Sequence, residues 1–146
     1  MAASKPRLGK KYFTAAEANA ALPLVRAIVR DVTALFHDLR DRHERLSRLR
    51  QAQGGALGDA YQEELQLIQD EFERDQTKME EFVAELRNLG VELKDPETGL
   101  VDFPSRMQGR EVYLCWRYGE PEVGYWHELD AGFAGRQKLK ADAQKV

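Results

Sequence analysis

One short stretch near the end of the chain places an imidazole among carboxylates, because His127 is followed by Glu128 and Asp130. Asp102 lies in a neighbouring predicted strand, and Glu17 lies at the start of the first predicted helix. A neutral imidazole with carboxylates is a recognised ligand set for zinc, manganese or iron. A divalent metal is therefore a candidate cofactor, with His127, Asp102 and Glu128 as its predicted ligands.

Strand geometry favours some of these pairs over others. Adjacent residues of a regular strand point to opposite faces, so His127 and Glu128 can hold one ion only where the strand bulges or ends. His127 with Asp102 from a neighbouring strand is the easier pair. Each residue also has a structural alternative: Glu17 can complete a helix cap, the other two carboxylates can pair with arginines, and His127 can be a hydrogen-bonded sheet residue.

The single cysteine, Cys115, cannot form an internal disulfide and lies in an apolar run, where a free cysteine usually behaves as a small buried hydrophobe. As a nucleophile it would need a neighbouring base, and His127 is the sole candidate on its face. The sequence has no Gly-rich phosphate loop, Cys-x-x-Cys pair, His-Glu-x-x-His motif or nucleophile elbow. Nucleotide-binding, zinc-ribbon, zincin and hydrolase functions therefore lack support.

Length and charge limit the remaining classes. A chain of 146 residues fits one domain, which we place at residues 12–139 between a flexible leader, 1–11, and a flexible tail, 140–146. The net charge of −3 gives no general attraction to nucleic acid. No stretch approaches the roughly 18 apolar residues of a membrane span, and no export signal is recognisable. A reducing cytoplasm is the expected compartment.

The first predicted helix begins at a capping box in which Thr14 and Glu17 exchange hydrogen bonds. Apolar residues then recur at steps of three and four up to the glycine pair at Gly54, which predicts a long amphipathic helix. Pro23 lacks an N–H, so we expect it either to kink this helix or to mark the first turn of a fresh one.

A second predicted helix has Asp59 as its cap and Gly90 as its left-handed stop. Its apolar stripe complements that of the first, so residues 12–90 are predicted to form a long antiparallel helical hairpin. Two helices of this length bury only part of their apolar flanks against one another. We therefore expect homodimerisation through the hairpins, in a coiled-coil or four-helix arrangement.

Residues 91–139 change to short β-rich runs and predict a small antiparallel sheet with a closing loop. The chain is thus of the α+β class, with about four strands in a meander. The predicted strands are 91–95, 100–103, 111–117 and 123–129.

The register of the second hairpin decides which side chains share a face. Symmetry about Glu120 places Val112, Leu114, Trp116, Gly124, Trp126 and Glu128 on one face. It places Tyr113, Cys115, Arg117, Val123, Tyr125 and His127 on the other. We expect the first, more apolar face to meet the helices and the second to present the chemically varied side chains. A slip of one residue would exchange the faces.

Several segments together resemble a known family. They are Tyr12-Phe13-Thr14, Glu17-Ala18-Asn19, Leu22-Pro23, residues 90–95 and 100–104, Val112 to Arg117 and Tyr125 to Glu128. The chain is similar over residues 12–139 to the DUF2203 family of uncharacterised bacterial proteins. The resemblance implies a small bacterial cytosolic protein and carries no activity with it. It directs attention to Glu17, Asn19, Asp102, Glu120, His127, Glu128 and Arg136.

Two functional hypotheses follow from the sequence. The favoured one is a non-enzymatic homo-oligomeric or partner-binding protein; the alternative is a metal- or small-molecule-binding protein, catalytic or not, centred on His127. The full candidate polar site comprises Glu17, Asn19, Asp102, Tyr113, Cys115, Arg117, Glu120, His127, Glu128, Asp130 and Arg136.

Overall fold

Two helices precede an antiparallel sheet, so the predicted α+β class and the helical hairpin are confirmed. The computed structural model describes residues 9–52 and 58–140. Predictions for the leader before residue 9, for Gly54 and for the tail beyond residue 140 concern residues outside these ranges. The elements are α1 (Ala15–Ala52), α2 (Asp59–Asn88), β1 (Glu92–Asp95), β2 (Leu100–Met107), β3 (Arg110–Arg117), β4 (Tyr125–Glu128) and β5 (Gln137–Lys138).

Helix α1 starts at the predicted capping box. The Thr14 amide donates to Glu17 Oε1 at 2.9 Å, and the Glu17 amide donates to Thr14 Oγ1 at 3.1 Å. The helix continues without a break through Pro23. The alternative in which Pro23 opens a separate helix is therefore wrong.

Helix α2 begins one residue differently from the prediction. Gly58 is the N-cap and makes no side-chain cap, while Asp59 is the first helical residue, where its charge suits the positive end of the helix. The predicted stop is confirmed, since Gly90 has a φ of 90°. Its amide donates to the Arg87 carbonyl and that of Val91 to the Leu86 carbonyl, both at 2.9 Å, which is a Schellman motif.

The sheet has five strands rather than about four, in the sequential order β1 to β5. Strand β5 has only two residues, so it shows no alternation that the sequence could reveal. Strands β2 and β3 are joined at Gln108 and Gly109, whose φ values of 52° and 77° are those of a tight hairpin turn. Asparagine or glycine is usual at Gln108's position, and the sequence therefore concealed this turn.

The predicted register of β3 and β4 is confirmed for the four pairs of the observed ladder, from Val112 opposite Glu128 to Cys115 opposite Tyr125. The face with Leu114 and Trp116 packs against the helices, also as predicted. Val123 departs from the prediction, because β4 begins two residues after it. Its side chain lies in the core below the helices instead of on the opposite face.

The hydrophobic core takes α1 residues only as far as Val32 and α2 residues only from Met79 onward. Residues 33–52 and 59–78, here called the arm, lie outside this core. Among the arm residues whose burial is described, Leu46 and Ile68 alone are buried apolar side chains. In the described ranges, no helix combines the length and the apolar character needed to cross a membrane.

Candidate metal centre

The face of the sheet that points away from the helices, here called the outer face, collects three different donor groups. Asp102 of β2 lies opposite Cys115 of β3. His127 of β4 lies opposite Tyr113 and is therefore diagonal to Cys115. Because alternate residues of a strand share a face, the predicted register of β3 and β4 places Cys115 and His127 on one side, and the observed pairing of β2 with β3 adds Asp102.

The three donor side chains converge. Nε2 of His127 lies 3.0 Å from Oδ1 of Asp102, and one donor atom from each of the three residues lies within 4.8 Å of the others. Strands β2 and β4 are two strand spacings apart, about 9.5 Å. The imidazole and the carboxylate meet above β3, where the residue between them is the small Cys115. All three residues are almost fully buried, at 0–2% exposure.

The hydrogen bond made by the other ring nitrogen fixes the orientation of His127. Its Nδ1 lies 2.6 Å from the backbone carbonyl of Glu128. A carbonyl only accepts, so Nδ1 carries the hydrogen and Nε2 faces Asp102. Without a cation, one proton must lie between Nε2 and Oδ1, because two acceptors at 3.0 Å would otherwise repel.

Burial shifts the pKa values of the carboxyl and the thiol in the cluster. Burial raises the pKa of the Asp102 carboxyl, while the hydrogen bond and charge of His127 act in the opposite direction. Burial also raises the pKa of the Cys115 thiol to about 12, and the negative charge of Asp102 adds to this effect. At neutral pH the thiol is therefore protonated and a poor nucleophile.

Two groups of side chains cover the cluster on either side. Toward β1, the Tyr113 hydroxyl donates to the Glu92 carboxylate at 3.1 Å, and Nζ of Lys94 lies 4.8 Å from the centre of the tyrosine ring. Toward β5, the Arg136 guanidinium lies 3.8 Å from the centre of the Tyr125 ring. The cluster thus sits beneath amphipathic side chains.

The side chains that lie toward β5 include two further predicted residues, Glu120 and Arg117. Nη2 of Arg136 donates to Glu120 Oε2 at 2.6 Å, and the Arg117 amide donates to Glu120 Oε1 at 2.7 Å. Glu120 therefore ties the turn after β3 to the segment before β5. These three residues lie together at one end of the outer face.

The remaining predicted site residues lie elsewhere. Glu17 forms the cap of α1, and Asn19 binds both the amide and the carbonyl of Val123. Glu128 faces away from His127 and receives Nη2 of Arg110 at 2.6 Å. Asp130 is exposed in the turn after β4. The structure thus brings Cys115, rather than Glu128, to the side of His127 and Asp102.

Sequence reasoning missed several polar residues of the outer face. The missed residues include Glu92 and Lys94. They also include Glu111, which is 8% exposed. It accepts hydrogen bonds from the Tyr12 hydroxyl at 2.6 Å and from Nζ of Lys10 at 2.8 Å. The alternation that placed Tyr113 and Cys115 on this face also places Glu111 there. No pattern in the sequence predicted that residues before α1, such as Lys10 and Tyr12, would contribute to this face.

The donor set fits a cation of the zinc class. Thiolate, imidazole and carboxylate are its usual protein ligands, at about 2.0–2.3 Å, which puts donor atoms about 3.3–3.6 Å apart in a tetrahedral site. Nε2 and Oδ1 are 3.0 Å apart, and the thiol sulfur lies within 4.8 Å of both. Side-chain rotations that move these donor atoms by a few tenths of an ångström to about one ångström would bring them to coordination distance.

Comparison with known proteins returns a family model described as "Uncharacterized conserved protein (DUF2203)", which matches residues 11–139. No curated protein and no solved structure matches the chain. The match covers nearly the whole described chain and includes both the hairpin and the outer face. It assigns no activity to either of them.

Proposed function

The chain belongs to the DUF2203 family, and we propose that it binds a divalent cation of the zinc class through Asp102, Cys115 and His127. The observation that carries this proposal is the hydrogen bond from Nδ1 of His127 to the Glu128 carbonyl. Histidines that bind metals almost always donate their second ring N–H to such a group, which fixes the tautomer and aims the other nitrogen at the ion. Here that nitrogen faces a buried carboxylate and thiol.

Burial of the three donors supports a cation over an adventitious polar cluster. A buried carboxylate beside a thiol and an imidazole lacks solvation, and a divalent ion would supply the missing positive charge. A coordinated thiol is deprotonated by the metal itself, so the raised pKa of Cys115 is compatible with its role as a ligand. Three protein ligands leave a fourth position open, which is typical of catalytic rather than structural zinc sites.

Cobalt titration tests the proposal directly. Metal-free protein should bind one Co²⁺, with tetrahedral d–d bands and a thiolate charge-transfer band in its absorption spectrum. Cys115→Ser should abolish the charge-transfer band, and Asp102→Asn should weaken binding by about 10–100-fold or more, because each removes an anionic ligand. Circular dichroism of both variants verifies that they fold.

Glu128→Gln is the matched control, since it changes a carboxylate next to His127 in sequence that faces the other side of the sheet. It should bind Co²⁺ as the parent does. The proposal is wrong if the parent takes up no stoichiometric Co²⁺ or Zn²⁺ at micromolar concentration. It is also wrong if Cys115→Ser, correctly folded, gives the parent spectrum.

We propose homo-oligomerisation through the arm as a second function, because the apolar side chains of the arm are less completely buried than those at the base of the hairpin. Phe36, Leu39, Leu65 and Phe72 of the arm are only half-buried. A second copy packed against these side chains would complete a four-helix arrangement and remove them from water. Light scattering should give a dimer at micromolar concentration, and a monomer would refute this function.

Two further assignments accompany these proposals. An unpaired cysteine with no disulfide partner suits a reducing compartment, so we assign the protein to the cytoplasm. The net charge of −3 favours cation and protein partners over nucleic acid. Fractionation of cells and a nucleic-acid binding assay at physiological salt test the two assignments.

A further inference from the structure

Arg136 is a buried cation placed beside the proposed metal centre. Its side chain is 8% exposed. Its guanidinium stacks on Tyr125, which is the residue directly opposite Cys115 in the ladder of β3 and β4. Arg136 and the donor cluster therefore share one end of the outer face.

The hydrogen bonding of this guanidinium is incomplete. Glu120 accepts from Nη2 at 2.6 Å, but Nε is buried and has no hydrogen-bond partner among the described residues. Leaving a buried donor unsatisfied costs about 1–3 kcal/mol, and more for a charged group. Stacking on Tyr125 and on Phe133, at 3.8 and 4.7 Å, holds the group in place without satisfying that N–H. An acceptor is therefore missing at Nε.

The chemistry of the two neighbours suggests what that acceptor is. A cation held by three protein ligands has an open position. A guanidinium is the side chain best suited to carboxylates and phosphates, because its N–H groups match their oxygens. A small oxyanion could place one oxygen on the cation and another at Nε of Arg136.

We infer that the centre binds a small oxyanion, of the carboxylate or phosphate class, between the cation and Arg136. This inference rests on the proposed cation-binding function and adds a ligand to it. The anion would satisfy the buried Nε–H and fill the open position of the cation at once. The protein would then recognise a metal and an anion together.

The test uses Co²⁺-loaded protein and two probes, acetate and inorganic phosphate. Each is titrated at constant ionic strength while the cobalt d–d bands are followed. At least one should shift the bands with saturation. Arg136→Gln should weaken that binding by about tenfold or more, the loss expected for a charge-assisted hydrogen bond.

Two variants make the result specific. Arg74→Gln is the control, since Arg74 is an exposed arginine of the arm and no part of the outer face; its anion affinity should equal that of the parent. Arg136→Lys keeps the charge without Nε and should remain folded, with weaker anion binding than the parent. Thermal melting checks both.

The outcomes separate the two claims. If the parent binds no Co²⁺, the proposed function and this inference both fail. If Co²⁺ binds but neither probe changes the spectrum with saturation, only this inference is overturned. It is likewise overturned if a folded Arg136→Gln or Arg136→Lys binds the anion as tightly as the parent does.

Discussion

His127 has each of its ring nitrogens committed to a defined partner, and this determines the character of the site. Nδ1 donates to a backbone carbonyl that cannot move without displacing β4, and Nε2 faces Asp102 at 3.0 Å. Cys115 lies on β3, between the strands of Asp102 and His127, and is buried with both residues. The proposed centre is therefore preorganised by the backbone, and if it binds a cation, substitutions that keep side-chain shape should affect cation binding more than folding.

The Cys115 thiol should be unreactive in the native protein. Its pKa is raised from an ordinary value of 9.0 to about 12, mainly by burial. At pH 8 we therefore expect alkylation by iodoacetamide to be at least about tenfold slower than in the unfolded chain, because the thiolate is the reacting form. Mass spectrometry of alkylated protein measures this. Equal rates with and without denaturant would contradict the prediction.

The same raised pKa links stability to alkaline pH. Below pH 9.0 both the folded and unfolded thiols are protonated, and the contribution to stability is complete. As the pH rises from 9.0 toward about 12, the unfolded chain releases the proton first, so the stability of the native state should fall. Urea titrations of metal-free parent and Cys115→Ala across this range measure it. A parent whose stability falls no more steeply than that of Cys115→Ala would refute the link.

Asn19 should be a strong determinant of stability although it lies on a helix surface. Its Oδ1 accepts from the Val123 amide at 2.8 Å, and its Nδ2 donates to the Val123 carbonyl at 3.2 Å. Asn19→Ala would leave both buried groups without partners, which should cost about 2–4 kcal/mol in the free energy of unfolding. Asn88→Ala, on the exposed end of α2, is the control and should cost less than about 0.5 kcal/mol. A loss of the same size in both would refute this role.

At the scale of the elements, two turn glycines allow the cost of backbone strain to be distinguished from the cost of overpacking. Gly99 and Gly119 both have positive φ values, 73° and 102°. A Cβ at Gly99 would meet Val29 of α1 at 2.8 Å and the Cβ of Tyr118 at 2.6 Å, whereas a Cβ at Gly119 would meet nothing within 4 Å. The turn between β1 and β2 is therefore pressed against α1, and the turn after β3 is open.

Alanine substitutions should reveal this difference. Gly119→Ala should lose about 1–2 kcal/mol from the left-handed backbone alone. Gly99→Ala should lose about 1–3 kcal/mol more, because the added methyl overpacks the contact with α1. Denaturant unfolding of both variants measures the two losses. If they are equal, the contact between the first turn and α1 is not tight in solution.

The sequence predicted those elements whose signal is local or periodic. The capping box, the stop at Gly90 and the register of β3 and β4 all followed from residue types and the two-residue period of a strand. The turn at Gln108 escaped because its residue type does not favour a positive φ. Within the site, the pair of His127 and Asp102 was predicted, but as a pair on neighbouring strands, whereas β3 lies between β2 and β4. Cys115 was absent from the predicted ligands because an apolar run gives no sign that a cysteine faces a carboxylate.

At the scale of the whole molecule, the hairpin is supported unevenly. Its base lies on the sheet, and the core there includes Leu22, Val25 and Leu86. The arm buries side chains mainly between its two helices, and it has ion pairs such as Arg40 to Glu97 in the turn between β1 and β2, at 3.2 Å, and Arg45 to Glu64, at 2.8 Å. Exposed ion pairs of this kind contribute little, about 0–1 kcal/mol each. Stability should therefore decrease from the sheet toward the end of the arm.

Hydrogen exchange should show this gradient. In the monomer, amides of residues 33–52 and 59–78 should open with free energies about 2 kcal/mol or more below those of residues 15–32 and 79–88. If the arm associates with a second copy, its protection should rise with protein concentration while that of the sheet stays constant. Exchange followed by mass spectrometry at two concentrations measures both effects. Uniform protection along the hairpin at low concentration would contradict the gradient.

The contact between Asp102 and His127 also has a mechanical meaning. It joins β2 to β4, which are not adjacent in the sheet, and so acts as a brace across β3. Strand β4 has only four residues in its ladder. Under a pulling force, peeling β4 from β3 must break the brace together with the ladder, and a cation shared by the two strands would stiffen it further. The centre would then serve as a mechanical joint that a metal can lock.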